Sequence, residues 1–460
     1  MTAETTTTPA QYTFEFCPAD NAVSPRCTLL YYYHNAANHP DFMDFALLKR
    51  TFHQALATSL PMALATSVHM DASPPFGKLT ATVDPRSPKY PEVRRHVDHE
   101  HTIEDMVQRG FAARSQPPAL TQVKTFADPL AGDPLVSLDI VYLADGVGMA
   151  VGFSHALADI PGVRMFVREW SRLCRSTVAA EAPAYKVQVL DTDRMAFWRM
   201  VTAEPAPPPR PFDRHLAELA QRPESDDSQQ TRMPGSLATY RIAVPDALLA
   251  RLAESRRAAD PLPSVPAMLS AILWKALVRA QQQQQPSPSH QFAYFANALT
   301  VRPLFSHLAE FCGNAVTMKY IHTPVSQLLH ADVQNVAREI QQAAREFTAG
   351  EFVRIIQGYM QQPQGYGTQL ARFVENGRAS RLMVSNVSRA GLYYEADFGW
   401  AAPEKIVFPA DIPQGFCIFM PMSKAGGIDA YLCTTGDVIK CIAEDELLSG
   451  HITVYEQGAQ

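Results

Sequence analysis

No stretch of the 460-residue chain reaches the roughly 18 uncharged apolar residues of a membrane span, so no transmembrane helix is expected. Basic charge is also short. The chain carries 40 Lys and Arg against 46 Asp and Glu, a formal net charge of −6, without the basic footprint of a nucleic-acid binder. The N-terminal MTAETTTTPAQ has neither the basic start nor the apolar run of a signal peptide, and a cytoplasmic protein is the expectation. The seven cysteines are scattered, odd in number and never spaced CxxC. That pattern excludes a zinc ribbon and points to free, mostly buried thiols in a reducing compartment. A phosphate cradle is missing as well: Gly365-Tyr366-Gly367 is an isolated glycine pair. Asp397-Phe398-Gly399 and Ala402-Pro403-Glu404 spell two kinase triplets, but only two residues separate them, and no HRD loop exists.

What is present suits a soluble enzyme. The chain is 47% apolar and 19% charged, enough for a large core. Its length suggests two domains at about 100–200 residues each. Residues 203–235 run AEPAPPPRPF to RPESDDSQQTRMPGS, rich in proline and polar residues, and read as a crossover linker between domains 1–202 and 236–460. QQQQQPSPSH (281–290) reads as a second low-complexity insertion, a disordered loop.

Patterning fills in the elements. CTLLYYYHN (27–35) is strand-like in composition. LVSLDIVYLAD and GVGMAVGF are two apolar runs joined by Ala144-Asp145-Gly146, which predicts a hairpin. Val163, Phe166, Val167, Trp170 and Leu173 then form a helical stripe with Pro161 in its first turn. In the second half the pattern predicts a helix over 265–280, a strand over 292–301, a helix over about 326–347 and a β-rich end over about 380–440. The regular β-α alternation of a doubly wound sheet is missing, which favours α+β layers.

The hairpin delivers Ser154 and His155, with Asp159 four residues after the histidine. Two chemistries compete there. Gly152-Phe153-Ser154-His155-Ala156 approaches the G-x-S-x-G nucleophile elbow of a serine hydrolase. It lacks the second glycine, Pro161 sets the helix too far behind the serine, and no Asp-then-His order stands out downstream. Alternatively, a neutral His155 can take a proton from an attacking hydroxyl or amine. Asp159 then either orients the ring or locks the loop to a cation. A lone histidine after a strand is usually structural, so HxxxD needs further support. RRHVDHEH (94–101) matches no metal-ligand spacing, and Thr102-Ile103-Glu104-Asp105 behind it is a capping-box start. An exposed polar segment entering a helix is expected there, and no metal.

Further support comes from ADFGWAAPEKI (396–406). Together with VGFSHALADIPG (151–162), FVREWSRLC (166–174), SVPAMLSAILWKALVRA (264–280) and Val301-Arg302-Pro303 through FCGNAV (311–316), it makes five ordered matches. In these the chain resembles the BAHD superfamily of acyl-CoA-dependent acyltransferases, of the chloramphenicol-acetyltransferase-like fold, over about residues 12–450. Three positions depart from the family pattern: Ile160 and Ala401 replace glycines, and Val387 stands at the usual tryptophan of a T-S-W segment.

The resemblance implies an α+β fold of two similar-sized domains. Each would be a mixed sheet with flanking helices, with a channel between them. It implies a monomer with no permanently bound cofactor, acyl-CoA as co-substrate and a small-molecule acceptor, a secondary metabolite by family habit. His155 and Asp159 would be the catalytic pair: His155 as general base in a direct transfer, Asp159 held by Arg302. Ser385 and Asn386 would supply the oxyanion or substrate contact. Arg302, Asp397, Phe398, Gly399 and Trp400 would be structural, the last four shaping a loop remote from His155. Three rivals stay open. A carrier-protein condensation enzyme would carry a histidine where Ser154 stands. The serine hydrolase would use Ser154. A non-catalytic ligand-binding member would have a decayed site.

Overall fold

The computed structural model describes residues 11–16, 26–71, 78–123, 132–179, 185–194, 236–255, 262–284, 292–305, 308–360, 380–409, 412–424 and 426–459, with single positions 20, 130, 199 and 203. The strands of the first half are β1 (Tyr12–Glu15), β2 (Arg26–His34), β3 (Ser67–Asp71), β4 (Lys78–Val83), β5 (Val93–Val97), β6 (Val136–Tyr142) and β7 (Gly146–Ser154). Those of the second half are β8 (Leu237–Val244), β9 (Phe292–Thr300), β10 (Val316–Pro324), β11 (Ser380–Asn386), β12 (Lys405–Val407), β13 (Phe416–Ser423), β14 (Gly426–Thr435) and β15 (Thr453–Ala459).

They form two large mixed sheets and one small one. The first-half sheet runs β12-β2-β7-β6-β5, with β5 and β6 parallel and the rest antiparallel. The second-half sheet runs β10-β9-β11-β13-β14-β8-β15, with β11 parallel to both neighbours. A three-stranded sheet, β1-β4-β3, flanks the first. The fold is α+β, two mixed sheets with helices packed on them. The expected hairpin is β6–β7, and every residue of β7 is buried, as for a strand covered on both faces.

Packing follows from the aromatic stripe. The helix Ile160–Val178 lies against the helix Phe45–Ser59, where Phe52 meets Phe166 at 5.7 Å and Trp170 at 5.0 Å between ring centroids. The Trp170 indole N–H donates to Thr51 Oγ1 at 3.1 Å, so the buried ring leaves no unpaired donor. In the second half the helix Val265–Gln284 places Trp274 on Phe295 of β9, at 5.4 Å.

One strand of the second half joins the first-half sheet. The edge strand β12, from the second half, pairs with β2 of the first. Its Lys405 reaches Asp429 of β14 at 2.5 Å, and Arg241 of β8 holds the other oxygen at 2.9 Å. All three charges are buried, and Arg241 also donates to the Gly110 carbonyl of the first half. This staple joins the two sheets with paired, hydrogen-bonded charge.

Several expectations need correction. Gln281–Gln284 extend the preceding helix instead of opening a loop, because glutamine is a good helix former. Residues 285–290 lie outside the described residues, as does the 203–235 crossover except residue 203. The helix expected over 326–347 is two helices, Val325–His330 and Val333–Arg345. Between them, buried Lys275 draws off the carbonyls of Leu329 and Ala331. The 94–101 segment begins as strand β5, where Arg94 and His96 share Asp139 of β6; Thr102 then caps the next helix by accepting from the Asp105 amide. Among the described residues, no helix is long and apolar enough to cross a membrane.

Candidate active site

Strand β7 ends abruptly at Ser154. The Ser154 carbonyl accepts from the amides of Leu157 at 2.8 Å and Ala158 at 3.2 Å, which folds the chain back within one turn. Asp159 then caps the following helix, its Oδ1 accepting from the Gly162 amide at 3.0 Å. A Cβ at Gly162 would lie 3.0 Å from that of Ala158, so the close turn favours glycine there. His155 sits in this turn, between strand end and helix cap. Its neighbours from Val151 to Ser154 and Ala156 to Asp159 are buried, while His155 is half-buried.

The imidazole is asymmetric. Its Nδ1 is closed off from solvent with no hydrogen-bond partner among the described residues. Burial holds its pKa below the ordinary histidine value; the Asp159 charge and the residue's own main chain push upward without cancelling the burial. The ring is therefore neutral at physiological pH.

Asp159 is fully engaged. It is 1% exposed, and Arg302 grips it with two contacts, Nη1 to Oδ2 at 2.7 Å and Nη2 to Oδ1 at 2.8 Å. The Ala315 amide adds a donor to Oδ2 at 3.1 Å. The pairing expected between Asp159 and Arg302 is thus present, bidentate and buried. Arg302 also donates to the carbonyls of Phe311 and Gly313 and to the Thr300 hydroxyl. A carboxylate with both oxygens taken this way has no lone pair directed at a substrate proton. Its chemistry is to fix the turn.

Ser154 does not stand on an elbow. It is buried, it closes the β2–β7 ladder opposite Arg26, and its φ is not positive. The strained, exposed turn of a hydrolase nucleophile is missing.

Ser385 and Asn386 end β11, next to Ala298 of β9 and Ile418 and Phe419 of β13. Leu382 and Val384 belong to the second-half helix core, so alternation turns Met383 and Ser385 to the opposite face, the side on which Ile418 joins the first-half core. Asn386 is exposed, and its side-chain oxygen accepts from both the amide (3.1 Å) and hydroxyl (2.7 Å) of Ser388. Among the described residues, no partner is seen for its NH2 group. Val387 packs on the first-half core.

Asp397, Phe398, Gly399 and Trp400 lie at the far end of the helix that Asp159 caps. Phe398 is buried edge-on against Trp170 at 4.4 Å and Tyr33 at 6.1 Å. Gly399 has φ +103, and its amide donates to Asp397 Oδ1 at 2.9 Å. Trp400 meets Phe42, and Asp397 faces Arg175 at 4.0 Å. From residue 159 to 175 the helix rises about 24 Å, so this loop is far from the histidine turn.

One residue was not legible from sequence. Arg194, just before the crossover, is buried and pairs with Asp20 at 3.2 Å while donating to the Leu157 carbonyl inside the histidine turn. It sits in a stretch without periodicity, and nothing in DTDR marks it.

Comparison with known proteins gives consistent matches. A model of the Transferase family matches residues 114–447. The chain is 21% identical over 329 residues to an uncharacterized acetyltransferase of Arabidopsis thaliana, covering 69% of this chain and 67% of that protein. It is 23% identical over 401 residues to hydroxycinnamoyl-CoA:5-hydroxyanthranilate N-hydroxycinnamoyltransferase of Avena sativa, covering 84% and 82%. Among solved structures, F. graminearum TRI101 complexed with coenzyme A and deoxynivalenol superposes with TM-score 0.72 at 16% identity, over 96% of this chain and 99% of that one.

Proposed function

The chain belongs to the Transferase family of BAHD acyltransferases, and from that membership we propose that it moves an acyl group from acyl-CoA directly to a hydroxyl or amine of a small-molecule acceptor, with His155 as general base. The observation that carries this reading is the division of labour in the turn. Asp159 is consumed by Arg302 and two amides, which leaves His155 as the titratable group, neutral and half-buried.

The thioester carbonyl is already electrophilic, and thiolate is a good leaving group. The reaction lacks a deprotonated nucleophile and a place for the oxyanion. His155 takes the acceptor's proton as its oxygen or nitrogen bonds to the carbonyl carbon. The tetrahedral intermediate then collapses, the C–S bond breaks, and the imidazolium returns the proton to sulfur. A positioned base of this kind contributes about 10²–10⁴ in rate. Ser385, or the NH2 of Asn386, would donate to the oxyanion, a contribution of about 3–4 kcal/mol in comparable sites. One chain supplies every one of these residues, which supports a monomer. The relatives' names support a CoA thioester as donor; the acceptor's class rests on the family alone.

The test is thiol release. Wild type, His155→Ala, Ser154→Ala, Ser385→Ala and Asn386→Ala are incubated with acyl-CoAs from acetyl to palmitoyl and a mixture of simple alcohols and amines. The wild type should release CoA, His155→Ala should lose at least 100-fold, and Ser154→Ala should stay within a few-fold. Loss in Ser154→Ala alone, with labelling by a fluorophosphonate, would establish the hydrolase. Calorimetric binding of CoA with no turnover of any donor would establish a non-catalytic member.

A further inference from the structure

Two buried arginines hold the histidine turn. Arg302 takes the side chain of Asp159, at the turn's end. Arg194 takes the main chain in its middle, donating Nη2 to the Leu157 carbonyl, two residues past His155. Both also grip one opposing segment. Arg302 donates to the carbonyls of Phe311 and Gly313, and Arg194 approaches that of Cys312 at 3.5 Å. That segment is tied in turn to the strap carrying Arg194. Asp191 bridges Phe311, and the Cys312 amide donates to the Asp191 carbonyl at 2.7 Å.

The Arg194 guanidinium is 1% exposed, yet its charge is balanced. Asp20 lies 3.2 Å from Nε, the Thr192 carbonyl accepts from Nη1 at 3.2 Å, and the rings of Phe16 and Phe311 flank the plane. Burying a cation this deeply is costly unless its charge is paired, and Asp20 pairs it. The Leu157 and Thr192 carbonyls and the Met62 sulfur accept from its two Nη groups, while Asp20 beside Nε supplies an ion pair without an aligned hydrogen bond, so the planar fork is held from several directions at once. A lysine ammonium, a point donor on a flexible stem, cannot span them.

We infer that Arg194 is a positioning residue for His155: it holds the Leu157 carbonyl, and through it the turn, against the 311–313 segment, so the imidazole keeps its place while the acceptor attacks. It touches no reacting atom. This inference rests on the reading of His155 as base, and misplacing such a group by about 1 Å costs on the order of 10²-fold in rate. The strap that runs on into the crossover therefore has a function of its own at the site.

The test compares Arg194→Lys with Lys275→Met. Lys275 is also a buried cation on two carbonyls, but in the helix layer behind the second sheet. Turnover is measured per folded molecule beside amide hydrogen exchange at Leu157 and Ala158. Arg194→Lys should lower kcat tenfold to a hundredfold with KM for acyl-CoA within twofold. It should also speed exchange at those two amides at least tenfold, leaving the amides of Phe166–Trp170 unchanged. Lys275→Met should alter neither. Asp20→Asn, which loosens the anchor but keeps the fork, should show the same pattern more weakly, and it serves if Arg194→Lys does not fold. Unchanged exchange at Leu157 and Ala158, or a kcat loss equalled by Lys275→Met, overturns the inference. If even the wild type releases no CoA, the transferase reading fails while the exchange data still decide whether Arg194 holds the turn.

Discussion

One helix, Ile160–Val178, carries a signature motif at each end, and the two ends are built on different physics. At its N-terminus Asp159 is 1% exposed, with two guanidinium contacts and two amides on its oxygens. At its C-terminus the Asp397 side chain is 37% exposed, its partner Arg175 is 39% exposed, and they stand 4.0 Å apart. There the buried, well-packed residue is Phe398, against Trp170. An aspartate in a motif is thus not one kind of residue. The first ties two halves of the chain together by charge; the second shapes a local turn around Gly399, and an aromatic ring does the anchoring.

The largest expected effect is at the buried end. Asp159→Ala leaves Arg302 charged, buried and short of its carboxylate, which typically costs 3–5 kcal/mol, so chemical denaturation should show a large drop in stability or no folded protein. Asp159→Asn keeps the shape and the bond to Gly162 but not the charge, and should fall between. If Asp159→Ala melted like the wild type, the contrast between the two ends would be lost.

That contrast explains how much could be read in advance. The β6–β7 hairpin, the aromatic stripe ending at Leu173 and the cap at Thr102 were legible because each rests on local periodicity or a capping pattern. The Asp159–Arg302 pair was reachable only through the resemblance, since 143 residues separate its members. Strand β12 falls in the expected β-rich end, but its pairing was not legible: Lys-Ile-Val is too short to show a period, and its partner β2 lies in the other half. Arg194 and Asp20 were invisible for the same kind of reason. A buried charge in an irregular segment carries no pattern, and only the three-dimensional convergence of carbonyls identifies it.

A second effect sharpens the comparison through pH. Burial lowers the pKa of His155, and the active base is its neutral form. The acid limb of kcat/KM should therefore have its midpoint below about 6.5 and should vanish in His155→Ala. The unfolded chain binds this proton first, so the residue's contribution to stability is lost as pH falls from about 6.5 through the folded value. A limb centred above 6.5 would mean that the Asp159 charge outweighs burial, and that the carboxylate is less fully occupied by Arg302 than its geometry implies.

The smallest expected effect is at the exposed carboxylate, Asp397. A 4.0 Å pair between half-exposed groups is typically worth 0–1 kcal/mol. The bond from the Gly399 amide adds about 1 kcal/mol. Asp397→Ala should therefore lower stability by about 1–2 kcal/mol, and activity should fall only as the folded fraction falls. Phe398→Ala, beside it, should cost about 3–5 kcal/mol by emptying a cavity against Trp170. Melting curves and turnover per folded molecule check both. Were Asp397→Ala to abolish turnover with its melting unchanged, the loop would communicate with the histidine turn along the 24 Å or so of helix between them. The two ends would then be one functional unit, and the division drawn between charge at one and packing at the other would be wrong.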